Sequence, residues 1–291
     1  MKFSVIIATK DRAALLDGAL ASLAAQNSAP PMEVIVVDNG STDGTRSVAQ
    51  KHAAVYVYEA MPNRGAARNR GIAAATGEIV LFIDDDVVLP AGFIAGHARA
   101  HESALVPRAV SGPIVNVPSA QTRTRASFRN YSNAFFCTCN VSVPTAALTA
   151  VGGFDERFEL YGWEDTELGL RLRGNGVGRA FAWDAYVWHI KPPENDTLEA
   201  ALAKTIEKAR MAARFVAKAP TPRAKLATGA YAFNLLRARA LAPRAAQPLF
   251  AGLASGAGVP GPIARFARDR LLDSVYVDEL RAALARDRAT S

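Results

Sequence analysis

A chain of 291 residues, half of them hydrophobic and with 21 glycines spread along it, has the material for one large or two modest globular cores, which excludes a disordered protein. Its two cysteines, Cys137 and Cys139, stand one residue apart, too close for an ordinary disulfide and too few for a zinc cage, so a reduced, cytosolic setting is expected. The net charge of +7 is uneven: residues 203–268 hold twelve Lys or Arg against the single acid Glu207, a surplus of 11 that leaves the rest of the chain at −4.

The first elements alternate. FSVIIA (3–8), EVIVVD (33–38), AVYVYE (54–59) and EIVLFID (78–84) are short runs rich in β-branched and aromatic residues, and each reads as a buried strand. Between them, 12–25, 45–52 and 66–75 read as helices, the last closed by Gly77. The run at 3–8 is too short for a signal-peptide core and is followed at once by Lys10, Asp11 and Arg12, so no secretion signal is expected. Strand and helix in alternation predict an α/β fold with a mostly parallel sheet and right-handed crossovers. In such sheets ligands gather at the carboxyl ends of the strands. Asp38 and Asp84 end two of these strands and should share one rim.

That rim carries motifs with chemistry. In VDNGSTDGT (37–45) an acid ends a strand, Gly40 turns, and Ser41 or Asp43 is available to cap a helix. The Asp can accept from a base N–H or ribose hydroxyls, although turn and cap chemistry explains the neighbours equally well. NRGAARNRG (63–71) sets Arg64, Arg68 and Arg70 around a loop and the first turns of a helix, a setting that favours phosphate as much as an ordinary surface helix.

FIDDDVVLP (82–90) is harder to read as ordinary structure. Three adjacent carboxylates repel one another unless a cation neutralises them, and hard divalent ions prefer oxygen ligands. Asp84 and Asp86 point the same way in an extended segment and Asp85 the other way. Further on, EDTELGLRL reads as a helix opening on Glu164 and Asp165, where acids suit the macrodipole. Trp163 beside them, on an aromatic loop, suggests a shaped pocket. AYVWHIKPP (185–193) ends a strand-like run in His189, whereas His52, His97 and His101 fall in polar helical contexts.

In order along the chain, SVIIATKDRAALL, VIVVDNGSTDGT, NRGAARNRGIAAATGEIVLFIDDDVVLP, NVSVPTAALTAVGGFDERF, YGWEDTELGLRL and VWHI resemble the inverting family 2 glycosyltransferases of the GT-A, Rossmann-like fold. The resemblance covers about residues 1–190. It implies a nucleotide-sugar donor held by Thr9, Asp11, Asp38, Arg68, Asp84 and Asp85, with Thr9 and Asp38 at the base and Asp84 at the ribose. It also implies Mn²⁺ or Mg²⁺ on Asp86 and His189, Asp165 as catalytic base, and Trp163 and Glu164 on the acceptor side. The acceptor would be a glycan or a lipid-linked molecule, and the attack would invert the anomeric centre in one displacement. Where many members read PTYNR this chain has ATKDR, without the aromatic, and Lys10 is free to reach a phosphate instead.

The pattern predicts a catalytic domain over 1–192 and a basic, mostly helical region over 193–291, with helices at 197–217 and 223–242. The uncharged stretch 245–264 contains Pro248, Pro260, Pro262 and four glycines, which argues against a membrane-spanning helix. The basic region suggests an anionic membrane surface as partner, with peripheral attachment on the inner face. The alternative is a helical cap on the catalytic domain, and no nucleic-acid partner is expected. A nucleotidyltransferase acting on sugar phosphates should show a Gly-rich basic loop after the first strand, which ATKDRAALL lacks. A non-catalytic nucleotide-sugar-binding protein should lack the base or the acid pair, and both are present.

Overall fold

A computed structural model describes residues 1–26, 29–103, 105–131, 136–241, 243–256 and 258–290. The chain divides into two compact units, one of residues 1–159 and 164–193, the other of residues 160–163 and 194–291.

The first unit opens with β1 (Phe3–Thr9), α1 (Ala13–Ala24), β2 (Met32–Asp38), α2 (Thr45–Lys51), β3 (Val55–Tyr58), α3 (Arg64–Ala74) and β4 (Ile79–Ile83). It continues with β5 (Val87–Val88), α4 (Phe93–Glu102), β6 (Arg108–Ser111), β7 (Ile114–Val117), β8 (Asn140–Pro144), α5 (Thr145–Ala150), α6 (Glu164–Gly174), β9 (Gly178–Phe181) and β10 (Val187–Ile190). A seven-stranded sheet has the order β3-β2-β1-β4-β8-β6-β9, and β5-β10-β7 form a second sheet of three strands. β3, β2, β1 and β4 run parallel, β8 returns antiparallel between β4 and β6, and β9 is parallel to β6. The mostly parallel sheet expected from the alternation is present.

Strand residues alternate between faces, so the central strands feed two cores. Phe3, Val5, Ile7, Leu81 and Ile83 meet Leu16, Leu20 and Leu23 of α1 and Phe93 and Ile94 of α4. Ile6, Val37, Val80 and Phe82 meet Ala67 of α3 and Leu168 and Leu172 of α6. Close approach of α3 depends on Gly71, where a Cβ would fall 2.5 Å from Ile6 Cγ2. α3 starts two residues before the expected position because the Asn63 side chain caps it, accepting from the Ala66 N–H at 2.9 Å.

Register places the rim. Thr9 lies opposite Asp38, and Ile83, the residue before the acidic triplet, pairs with Asn140, so Thr138 and Cys139 arrive beside Asp84. His189 pairs with Val87, and the Ile190 N–H donates to the Asp86 carbonyl at 2.8 Å, so β10 carries its histidine to the end of the triplet. His97 and His101, expected in polar contexts, are instead enclosed. Both rings hydrogen-bond the buried Ser142 hydroxyl, at 2.9 and 2.8 Å, and His97 also meets Asn140 at 2.9 Å.

The second unit consists of α7 (Leu198–Lys218), α8 (Pro222–Thr228), α9 (Ala232–Leu241), α10 (Gln247–Ser255) and α11 (Gly261–Thr290). Small residues let α7 and α11 approach closely: Ala209, Ala212 and Ala213 pack on Leu280 and Ala283. The single helix expected over 223–242 is two helices. Gly229 takes a left-handed conformation, φ 70°, and closes α8, which a residue without a Cβ does at little cost. Residue 242, its expected end, lies outside the described residues. Among the described residues no helix is long and apolar enough to cross a membrane.

Candidate active site

At the carboxyl rim of the first unit, the acidic triplet is met by side chains from four directions. Arg12, just ahead of α1, places Nη1 2.9 Å from Asp85 Oδ1 and 3.2 Å from Asp86 Oδ2. Lys191 Nζ lies 3.6 Å from Asp86 Oδ2, His189 Nε2 3.0 Å from Asp86 Oδ1, and Arg68 Nη2 3.8 Å from Asp84 Oδ1. Asp85 and Asp86 lie in a turn rather than the extended segment expected, so one Arg12 nitrogen reaches both, and Asp85 also accepts from the buried Thr9 hydroxyl at 2.7 Å. Burial pushes the Asp85 carboxyl up, against the pull of Arg12 and Thr9. Asp86 is also buried, but contact with His189 and the charges of Lys191 and Arg12 overcome that cost and hold it down to about 2.

Among the described residues, six buried side-chain polar atoms lack a hydrogen-bond partner, and five of them belong to this rim: Arg68 Nη1, Asp86 Oδ1, Glu164 Oε2, Asp165 Oδ1 and His189 Nε2. Unpaired buried polar atoms are costly and rare, and so many on one rim mark a place built for a ligand. The pair formed by Asp86 Oδ1 and His189 Nε2 fits a cation. The 3.0 Å between these two atoms is also the spacing of adjacent ligands around an octahedral ion, roughly 3 Å for metal–ligand bonds of about 2.1 Å. Asp84, Cys139 and His189 also offer ligand atoms within 4.8 Å of one another. Burial pushes the Cys139 thiol far up, which keeps it neutral and leaves the oxygens and the imidazole as the ligands suited to a hard ion.

Asp165 opens α6 and turns its two oxygens to different tasks. Oδ2 accepts from the Thr138 N–H at 2.9 Å and from its hydroxyl at 3.1 Å, while Oδ1 has no partner. Burial raises its carboxyl to about 6, opposed by the charge of Arg68 and the Thr138 hydrogen bond and reinforced by the charges of Glu164 and Asp84. That places a carboxylate near neutrality, where a general base works best. Arg68 joins the two acidic groups of the rim, with Nη1 3.7 Å from Glu164 Oε1 and its guanidinium carbon over the Phe154 ring at 5.6 Å. Burial disfavours its charge, yet Asp165, Glu164 and Asp84 hold it above the usual value.

The other expected residues have settled partners. Asp38 accepts from the Ser41 N–H and the Tyr56 hydroxyl, both at 2.7 Å, and burial together with Asp38 pushes Tyr56 up to about 12. Asp11 has φ 51° and accepts from the Thr42 N–H at 2.7 Å, tying the loop after β1 to the loop after β2. Trp163 belongs to the second unit, where its indole N–H donates to the Lys208 carbonyl at 2.9 Å. Its φ of 74° is unusual for so large a residue. Lys10 is exposed. Sequence reasoning missed Arg12 and Lys191 as counter-charges, Thr138 as the anchor of Asp165, and Cys139 as a neighbour of the cation-facing pair. The available signal was position: Arg12 follows a rim strand, Lys191 follows His189 by two residues, and Thr138 precedes a strand that begins beside Asp84.

The family described as glycosyl transferase family 2 matches residues 4–152, and the family described as the N-terminal domain of galactosyltransferase matches residues 121–191. A validoxylamine A glucosyltransferase from Streptomyces hygroscopicus subsp. limoneus is 30% identical over 262 residues, which cover 75% of this chain and 57% of that protein. The chain thus spans less than two thirds of that relative's length. In shape it is similar to a mannosyltransferase from Pyrobaculum calidifontis in complex with GDP-Man and Mn²⁺. The TM-score is 0.65 at 22% identity, covering 98% of this chain and 87% of the other. It is also similar to S. aureus TarS 1-349 in complex with UDP-GlcNAc, with TM-score 0.58 at 20% identity, covering 100% and 93%. These likenesses in shape identify the fold as GT-A.

Proposed function

The chain belongs to glycosyl transferase family 2, and from that premise we propose that it is a divalent-cation-dependent, inverting glycosyltransferase. It would pass a sugar from a nucleoside-diphosphate donor to a hydroxyl of a glycan or lipid-linked acceptor. The observation that carries the mechanistic part is Asp165 Oδ1, a buried carboxylate oxygen with no partner, on a group raised to about 6 and anchored through its other oxygen.

Asp165 takes the proton of the acceptor hydroxyl at Oδ1 as that oxygen attacks the anomeric carbon, and Thr138 keeps the carboxylate aimed while it does so. A single displacement with no enzyme nucleophile inverts the configuration, by the same stereochemical logic as inverting glycosidases. Asp86 and His189 would hold Mn²⁺ or Mg²⁺, with Asp84 beside them. When bound, the ion supplies positive charge to the diphosphate as it leaves. Arg12 holds Asp85 and Asp86 in place, and Arg68 does the same for Asp84 and Glu164. The loop contacts of Asp11 and Asp38, with Thr9 behind them, frame the donor side. GDP-Man and UDP-GlcNAc in the two structural neighbours support a nucleotide sugar as donor, and Mn²⁺ in one of them supports the cation.

A donor screen that follows nucleoside diphosphate release, with Mn²⁺ and with chelator, tests the reading. Release with one nucleotide sugar only when Mn²⁺ is present is the expected result, and NMR of the product should show inversion at the anomeric carbon. Equal release in chelator overturns the cation dependence, and a retained configuration overturns the role given to Asp165.

A further inference from the structure

Far along the same rim lies a surface that the transfer reaction does not use. Ser111 pairs with Val141 and with Phe181, and Asn140 with Ile83, so the end of β9 stands at the same edge of the sheet as the acidic triplet. It is three strands away, roughly 14 Å at the usual strand spacing. Trp183, just past β9, is the hub of an aromatic cluster: ring centroids of Phe128, Tyr131 and Phe181 lie 4.7, 4.9 and 5.2 Å from its own. Phe128 is 84% exposed and Trp183 41% exposed. A ring as open as Phe128, set against Trp183 at the edge of this cluster, is part of an apolar patch that water does not favour.

The surrounding charge is of one sign. From residue 103 to residue 154 the chain contains four arginines, no lysine and no acid. Arg123, Arg125 and Arg129 are exposed on the loop that carries Phe128, and among the described residues none of them pairs with an acid. Asp184, the acid next to Trp183, is already paired with Arg99. The loop holds its own shape. Asn130 accepts from the Ser127 N–H at 2.7 Å and donates to the Arg125 carbonyl at 2.9 Å. Trp188 donates to the Thr124 carbonyl at 2.8 Å while Arg123 lies over its ring at 4.6 Å. The amide of Asn130 is therefore spent within the loop, and what the loop presents outward is aromatic carbon and guanidinium.

We propose that Phe128, Tyr131 and Trp183, with Arg123, Arg125 and Arg129, seat this unit on an anionic lipid bilayer, the rings entering the headgroup boundary and the arginines meeting lipid phosphates. Rings with polar tips and long cations with apolar stems are the side chains that settle at such a boundary. The basic second unit is the competing surface, but there Arg210 pairs with Glu279 and Arg268 with Asp196, so part of its charge is spent internally. The inference does not depend on the transfer reaction proposed above.

The test is co-sedimentation of the full chain, at low salt, with vesicles of phosphatidylcholine alone or mixed with phosphatidylglycerol. The parent should pellet with the mixed vesicles and stay in solution with the neutral ones. Arg125→Glu/Arg129→Glu should lower partitioning by two orders of magnitude or more, given about a fivefold effect per unit of charge. Phe128→Ser should lower it about tenfold, and Arg223→Glu/Lys225→Glu in the second unit should change it less than fivefold. All these side chains are exposed, so each variant should melt with the parent. Binding of the patch variants equal to the parent overturns the proposal, as does loss of binding only in the second-unit variant, or no binding by the parent. A Phe128→Ser variant that turns a dimer into a monomer in sedimentation velocity, with vesicle binding unchanged, also overturns it and assigns the patch to a second copy of the chain.

Discussion

Replacing Asp165 with Asn isolates proton transfer from everything else the carboxylate does. Both Thr138 contacts, at 2.9 and 3.1 Å, end on one oxygen of Asp165, so the amide oxygen of Asn can take that place and turn its NH₂ toward the position of Oδ1. The geometry survives and the capacity to accept a proton does not. A general base contributes roughly 10²–10⁴ in rate, so turnover should fall by that factor, about 2.7–5.4 kcal/mol at 1.36 kcal/mol per decade. Nucleoside diphosphate affinity, read by calorimetry, should change little. The parent enzyme supplies the matching pH signature. A general base at Asp165 would work only when deprotonated, and burial holds its carboxyl at about 6, so kcat/KM should be level above that pH and fall tenfold per unit below it. The Asn variant should lose this limb. An acid limb near 4, a limb that persists in Asp165→Asn, or parental turnover in that variant would refute the role assigned to Asp165.

Other perturbations probe the rest of the molecule. Asp86→Ala should abolish most of the Mn²⁺ dependence of nucleoside diphosphate binding and His189→Ala should weaken it less, measured by titration with and without the ion; unchanged dependence in Asp86→Ala would remove the cation from that pair. His97 and His101 are each held down to about 4 by burial, so the fold keeps both rings neutral while the unfolded chain protonates them near 6.5. Stability should therefore be whole above about pH 6.5 and fall toward pH 4, by an order of 3 kcal/mol for His97, and thermal melts across that range should show a shallower slope in His97→Gln than in the parent, His101 supplying part of what remains. Gly71→Ala forces a methyl group against Ile6 and should lower stability by about 1–3 kcal/mol, visible as a lower melting temperature, without altering the pH dependence of turnover.

What the sequence made legible was what lies close together along the chain. Residues 3–8 and 78–84 announce buried strands because a strand covered on both faces is apolar at nearly every position, and Asp84, which ends the second run, sits on the rim by construction. The partners of those acids were not legible. Arg12 bonds an acid 73 residues away and Thr138 one 27 residues away, and a surface arginine and a pairing one look alike before the sheet is assembled. His97 and His101 failed in the same way: their neighbours Asn140 and Ser142 arrive on an antiparallel strand more than 40 residues later. The helix expected over 223–242 failed locally instead. The flanks of Gly229 are helical in composition, but Thr221 and Pro222 start one helix and Gly229 ends it, so propensity averaged across the window concealed a stop signal.

The acidic triplet can now be weighed against its surroundings. Asp84, Asp85, Asp86, Glu164 and Asp165 face Arg12, Arg68 and Lys191, five carboxylates against three Arg or Lys side chains. The rim is therefore left two charges negative, and the unpaired oxygens show where that excess is least satisfied. A surface of that sign repels a diphosphate, so Arg12, Arg68 and Lys191 do not by themselves make a donor site. They restrain the acids enough for the fold to tolerate them and stop short of neutralising them. The proposed divalent cation would close the deficit, and the balance would tip again when a diphosphate enters. Cation and donor affinities should in consequence rise together, each by the same factor for the other, as linkage requires. On the proposed reading the arginines and lysine hold the acids in position, and the remaining charge of minus two would make the rim selective for an anion that comes with its own counter-ion.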